Sequence, residues 1–137
     1  MRDTTFTRGA LPDPTPRLDR FTRAYLTAAL WSTNDESDES GGVPFDQNYS
    51  IDDLAPDALD AAIRDCERFQ AENEADIAED DLQAGYDFWL TRNGHGCGFW
   101  DGDWPDEQGE RLTEASKAFG ELWPYIGDDG LIYGFGE

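Results

Sequence analysis

The stretch DFWLTRNGHGCGFWD, residues 87–101, decides how this chain is read. Its aromatic and β-branched residues suit strands. Asn93-Gly94 supplies the two positive-φ positions of a tight type I′ turn. A β-hairpin in that register sets Arg92 opposite His95, Leu90 opposite Cys97 and Phe88 opposite Phe99 on one face. On the other face Thr91 meets Gly96, Trp89 meets Gly98 and Asp87 meets Trp100. The glycines opposite Trp89 and Thr91 leave room there for an indole ring, a helix or a ligand.

Working outward, residues 1–15 read as a flexible arm, kept extended by Pro12, Pro14 and Pro16. Pro16 can open a helix over 16–31, with Leu18, Phe21, Tyr25, Ala28 and Ala29 at helical spacing. Residues 32–49 carry STNDESDESGG and no periodicity, the pattern of a mobile acidic loop. A second helix begins near Pro56 with the stripe Leu59, Ala62, Ile63, Cys66 and Phe69. It is expected to run, with a break, to Leu82 and to stop at Gly85. Pro105 opens a third helix with Leu112, Ala115 and Phe119 as its stripe and Gly120 as its stop. Residues 122–135 read as a second hairpin about GDDG, 127–130. The fold class expected from this order is α+β: a single domain over 16–137, with about three helices packed on a small antiparallel sheet made of two hairpins.

Charge bounds the partners. The chain has 31 acidic and 10 basic residues in 137, a net charge of −21. Residues 1–23 hold five basic and three acidic residues, so residues 24–137 carry a net −23. Duplex DNA, with about one phosphate per 1.7 Å, should repel such a body, so no direct nucleic-acid binding is expected. The same charge steers the protein toward basic surfaces, including the DNA-binding face of another protein. Asp outnumbers Glu 20 to 11 and Lys117 is the one lysine. That bias also accompanies salt adaptation and high genomic GC content, which offers solvation as an alternative source of the acidity. Five Trp, five Tyr and eight Phe speak for a folded body rather than acidic disorder. Two cysteines form no disulfide framework and no zinc set, so reduced thiols in a cytoplasm are expected. The N-terminus has no apolar run of a signal peptide, and no stretch approaches the roughly 20 residues of a membrane span.

The chemistry-bearing residues are weighed in turn. His95 is the one histidine, and its expected neighbour Arg92 would lower its pKa. No nucleophile, base and orienting group come together around it, so no catalytic residue is assigned. His95, Cys97, Asp101 and Asp103 have metal-binding side chains but not the spacing of a zinc set. DGDWPDEQGE, 101–110, misses a calcium loop, with Asp106 where Gly is needed and Leu112 where a bidentate Glu is needed. No metal and no cofactor are expected. GHGCG, 94–98, lacks the strand–loop–helix setting of a phosphate-binding loop. Trp100 and Trp104 are candidates for partly exposed anchors, since aromatic residues dominate interface hot spots.

RAYLTAALWST (23–33), DCERFQAEN (65–73), DFWLTRNGHGCGFWDGDW (87–104) and YIGDDGLIY (125–133) together resemble a family of small uncharacterised tailed-bacteriophage proteins. The resemblance runs from about residue 21 to the end. It implies a phage product in a host cytoplasm and carries no activity with it. Members often have Ala where Cys97 stands, which tells against a ligand or nucleophile role for that thiol.

The function expected from these readings is that of an acidic, non-enzymatic interaction protein. It would bind a basic host or phage protein, in the limit as a DNA mimic or anti-defence inhibitor. Its expected contacts are Asp57, Asp60, Glu67 and Glu74 on the second helix, with Trp100 and Trp104. One alternative is a small enzyme or metal-binding domain centred on Asp87, Arg92, His95, Asp101 and Asp103. Another is a phage protein whose acidity is solvation or salt adaptation alone.

Overall fold

The computed structural model describes residues 18–35, 43–77, 80–94, 98–99 and 104–137. The expected arm at 1–15 and the helix start at Pro16 lie outside the described residues, as does the 36–42 part of the expected acidic loop. Among the described residues the elements are α1 (Arg20–Ser32), β1 (Asn34–Asp35), β2 (Val43–Pro44), α2 (Pro56–Glu72), α3 (Glu74–Ile77), α4 (Asp81–Arg92), α5 (Asp106–Lys117), β3 (Tyr125–Ile126) and β4 (Ile132–Tyr133). Short 3-10 turns at Phe45–Gln47 and Ile51–Asp53 lead into α2.

The expected α+β arrangement is overturned. The core is helix packed on helix, and the described strands form two separate two-stranded antiparallel pairs, β1–β2 and β3–β4. The decisive correction falls on residues 87–92, which form the last turns of α4 rather than a strand. Ala84, Gly85 and every residue from Asp87 to Arg92 are buried. A helix enclosed on nearly all sides has no apolar stripe, so its period cannot be read from hydrophobicity. Asn93 caps the helix, its backbone N–H donating to Trp89 O at 3.2 Å. Gly94 takes φ 70° and donates to Thr91 O. The positive φ read into Asn-Gly is therefore present at Gly94, where it ends a helix instead of turning a hairpin. The pairings drawn for Arg92, Leu90, Phe88, Thr91, Trp89 and Asp87 as strand residues do not form, because all six lie in α4.

Gly85 is likewise not a helix stop. It sits inside α4, and a Cβ there would meet Phe21 O and the Ala24 Cβ of α1. Its missing side chain lets α1 and α4 approach backbone to backbone. The two helices run in the same direction, since Arg20 meets Asp81 at 3.6 Å and Ser32 accepts from the Trp89 indole at 2.9 Å. α1 starts at a capping residue: Asp19 Oδ1 accepts from Thr22 N at 2.7 Å. α2 starts at Pro56, and its Ala58, Leu59, Ala62, Cys66 and Phe69 are buried along the expected stripe. It ends at Glu72 because Asn73 takes a non-helical conformation and its side chain donates to Phe69 O. The long second helix is thus three pieces, α2, α3 and α4.

An aromatic interior joins the helices. Phe69 stacks on Phe88 with ring centroids 4.1 Å apart, and Tyr25 meets Phe88 at 5.0 Å and Trp89 edge-on at 5.2 Å. Phe99 and Phe135 close the ends of this cluster against Phe69 and Trp89. The second hairpin forms where expected. Tyr125 pairs with Tyr133 and Ile126 with Ile132, and Gly127 N donates to Leu131 O across the turn.

Candidate interaction surface

Of the residues proposed as an alternative catalytic or metal site, Arg92 and Asp87 are described. Arg92 is buried at the end of α4, where its Nε and Nη2 donate to Gly120 O at 2.7 Å and Phe119 O at 2.8 Å. Those carbonyls follow the C-terminal end of α5, a position that favours a cation. Its Nη1 donates to Tyr25 Oη and to Asp65 Oδ2, both at 3.0 Å. Burial pushes the Tyr25 phenol well above its ordinary value, so that hydroxyl stays protonated and accepts from the guanidinium. All of Arg92's bonding is structural. Asp87 is buried and accepts from the Trp104 indole at 2.7 Å and from Gln83 Nε2 at 3.1 Å. Arg92 and Asp87 are both buried, each bonded by the partners just named. His95, Cys97, Trp100, Asp101 and Asp103 lie outside the described residues.

Trp104 is no exposed anchor. It is buried, bonded to Asp87 and edge-on to Phe99 at 5.4 Å. Ser116 is also buried and donates to Leu112 O, and burial raises the Cys66 thiol well above its ordinary value. None of these is an available nucleophile.

The expected contact acids on α2 divide in two. Asp57 and Asp60 lie exposed in its first two turns. Glu67 lies about 10 Å beyond Asp60 along the helix axis, between the exposed Arg64 and Arg68, and Arg68 is paired with Glu72 at 3.1 Å. Glu74 belongs to α3, whose Asp76 is held by Arg111 at 2.6 Å. That Arg111 bond keeps the Asp76 carboxyl below its ordinary value. Cations are thus interspersed around Glu67 and Glu74, while Asp57 and Asp60 have Arg64 nearby, one turn beyond Asp60 on the same helix.

The acidic surface lies instead where the start of α2 meets the C-terminal hairpin. Leu54 bridges Ile132 and Ala55 N donates to Ile132 O at 2.9 Å. Residues 43–63 and 118–137, joined by that bridge, contain nine acids and no Lys or Arg. Asp46, Asp52, Asp57, Asp60, Glu121, Asp128 and Asp129 are all exposed there. No basic residue stands between Arg23 and Arg64 or after Lys117, but 69–91 and 93–110 lack one too, so this signal in the sequence did not by itself single the surface out. Its meaning needed the contact between two segments about 75 residues apart.

The hairpin presents two unlike faces. Ile132 is buried and Ile126 and Tyr133 pack partly on the core, while Tyr125 is exposed and stacks on Tyr133 at 5.8 Å. Before β3, exposure alternates: Glu121, Trp123 and Tyr125 face outward, and Leu122 packs inward. Trp123 is 76% exposed and Tyr125 55%. Tyr133 donates to Asp129 Oδ2 at 2.6 Å, and that bond holds the Asp129 carboxyl below its ordinary value. The same bond raises the Tyr133 phenol, with burial and the charge of Asp57 adding to the shift. The outward face is aromatic, set among carboxylates, and includes residues 121–133 that the expected site left out.

No protein-family model matches the chain, and no curated protein or solved structure is detectably similar to it. No helix among the described residues is long and apolar enough to cross a membrane.

Proposed function

We propose that this chain is an acidic interaction protein that binds a basic surface on another protein, in the limit by occupying a DNA-binding face. The observation that carries the reading is the end built from residues 43–63 and 118–137, with nine acids and no cation. Elsewhere on the described surface the acids are mixed with arginines: Arg20, Arg68 and Arg111 form exposed ion pairs and Arg92 a buried one. Segments 43–63 and 118–137 bring no cation of their own and are bordered by Arg64 and Arg68, so exposed carboxylates such as Asp46, Asp52 and Asp128 are left to an outside partner. The resemblance to tailed-phage proteins makes a host DNA-binding protein the partner we favour, met in the host cytoplasm. Attraction of this kind raises association rates and weakens as salt screens it.

The test is affinity capture from bacterial lysate on the immobilised protein, eluted with rising salt. Basic DNA-binding proteins should be retained at about 0.15 M salt and released toward 1 M, where the Debye length falls from about 8 to 3 Å. Duplex DNA should displace them while not binding the chain itself. Asp57→Lys with Asp60→Lys should abolish capture and leave the fold intact, since both side chains are exposed. Capture that survives this reversal, or DNA bound directly, would refute the reading.

A further inference from the structure

The outward face of the β3–β4 hairpin is chemically odd for this molecule. A two-sided hairpin usually turns polar residues to water, and this surface is otherwise rich in carboxylates. Instead it exposes the Trp123 and Tyr125 rings, the latter stacked on the half-buried Tyr133. Exposed acids neighbour the rings: Asp129 accepts from the Tyr133 hydroxyl, the charge of Asp57 acts on the same phenol, and Glu121 stands two residues before Trp123. The rings are ordered by the chain itself. Asp129 holds the Tyr133 hydroxyl at 2.6 Å, and the Tyr133 ring lies where a Cβ on Gly127 would stand. Gly134 brings its backbone against Trp123 and Pro124, where any Cβ would meet Trp123 O and Pro124 Cα. Trp123 is thus carried on a closely fitted backbone while its side chain stays in water.

We propose that this face docks arginine side chains of the basic partner, each guanidinium lying on a ring and pairing with a neighbouring carboxylate. The proposal rests on the function reading above and adds the docking element and the partner chemistry. Arginine suits the site better than lysine. Its planar guanidinium stacks on aromatic faces and bonds a carboxylate with two parallel N–H donors, whereas an ammonium is a compact, strongly hydrated point charge. The chain already uses this arrangement on itself: Arg68 lies 4.6 Å from the centre of the Phe119 ring while paired with Glu72. A second copy of the chain is a poor occupant, because docking two such ends would bring carboxylates against carboxylates. Anionic membranes and nucleic acids are repelled for the same reason.

The experiment titrates the intact protein with nona-arginine and with nona-lysine, peptides of equal charge, by calorimetry at about 0.15 M salt. Nona-arginine should bind about tenfold tighter. Trp123→Ala with Tyr125→Ala should remove that preference and leave nona-lysine binding within about twofold, since Asp57 and Asp60 remain. Trp123→Leu, which keeps apolar area without a π-face, should also lose most of it. Thermal melting of each variant checks folding, and these exposed positions should shift it little. Equal affinity for both peptides, or a preference that survives the double variant or Trp123→Leu, overturns arginine docking. Charge-driven binding then still stands if Asp57→Lys with Asp60→Lys weakens both peptides. Binding of neither peptide removes both readings. A concentration-dependent dimer abolished by Trp123→Ala would assign the face to a second copy and overturn the proposal.

Discussion

Two stretches of this chain look alike in sequence and end in opposite settings. DFWLTRNG, 87–94, and WPYIGDDGLIY, 123–133, each combine aromatics, an Asn or Asp, and glycine. The first becomes the buried end of α4; the second becomes a hairpin with one face in water. In the first, every charge is drawn inward and paired: Arg92 with Asp65, Tyr25 and two carbonyls, Asp87 with Trp104 and Gln83. In the second, acids and rings stand exposed with no cation in the segment. What separates them is enclosure. A helix surrounded by α1, α2 and α5 can turn all sides inward, and a hairpin lying against the core on one face cannot. Charges at the enclosed end serve stability, and charges at the open end remain for a partner.

The contrast breaks most sharply at Arg92. Arg92→Met should destabilise the fold by about 3 kcal/mol, because Asp65 and the two carbonyls lose their buried donor. Chemical denaturation measures this, and a loss below about 1 kcal/mol would show that the guanidinium is not holding α4 to the end of α5. Gly85→Ala comes next. Its new Cβ meets the Phe21 carbonyl, so α1 and α4 must separate, at a cost of about 1–3 kcal/mol despite the better helix propensity of Ala. An increase in stability would mean that close approach is not what selects glycine there.

The smallest effect sharpens the open side. Asp129 titrates below its ordinary value when folded because Tyr133 donates to it. The contribution of that bond is therefore present above the ordinary carboxylate range and lost as pH falls through the lowered value. Tyr133→Phe removes the donor, so the Asp129 carboxyl, followed by NMR, should titrate closer to the ordinary value. An unmoved titration would show that the backbone N–H groups, that of Leu131 among them, hold it without Tyr133.

Much of the fold was legible where one face of an element is wet. The α2 stripe from Leu59 to Phe69, the start at Pro56, the α5 start after Pro105 and the GDDG hairpin all appear as their patterns indicate. Reading failed at α4, whose Phe, Trp and Thr residues have strand propensity and whose burial leaves no stripe. It failed again at Trp104, expected as a partly exposed aromatic anchor and found buried.

The candidate surface was half legible for a related reason. Composition alone determined that the chain is strongly acidic, rich in aromatics, and without a basic residue in 43–63 and 118–137. Local chemistry alone determined that Gly94 would take a positive φ and that Pro56 would open a helix. Tertiary structure decided that Gly94 ends a helix, that Arg92 is sealed inside, and that the two cation-free segments meet at Leu54 and Ile132. The physical reason is range. Backbone conformation and charge content are set within a few residues. Which aromatic is buried and which carboxylate keeps a cation depend on neighbours tens of residues away.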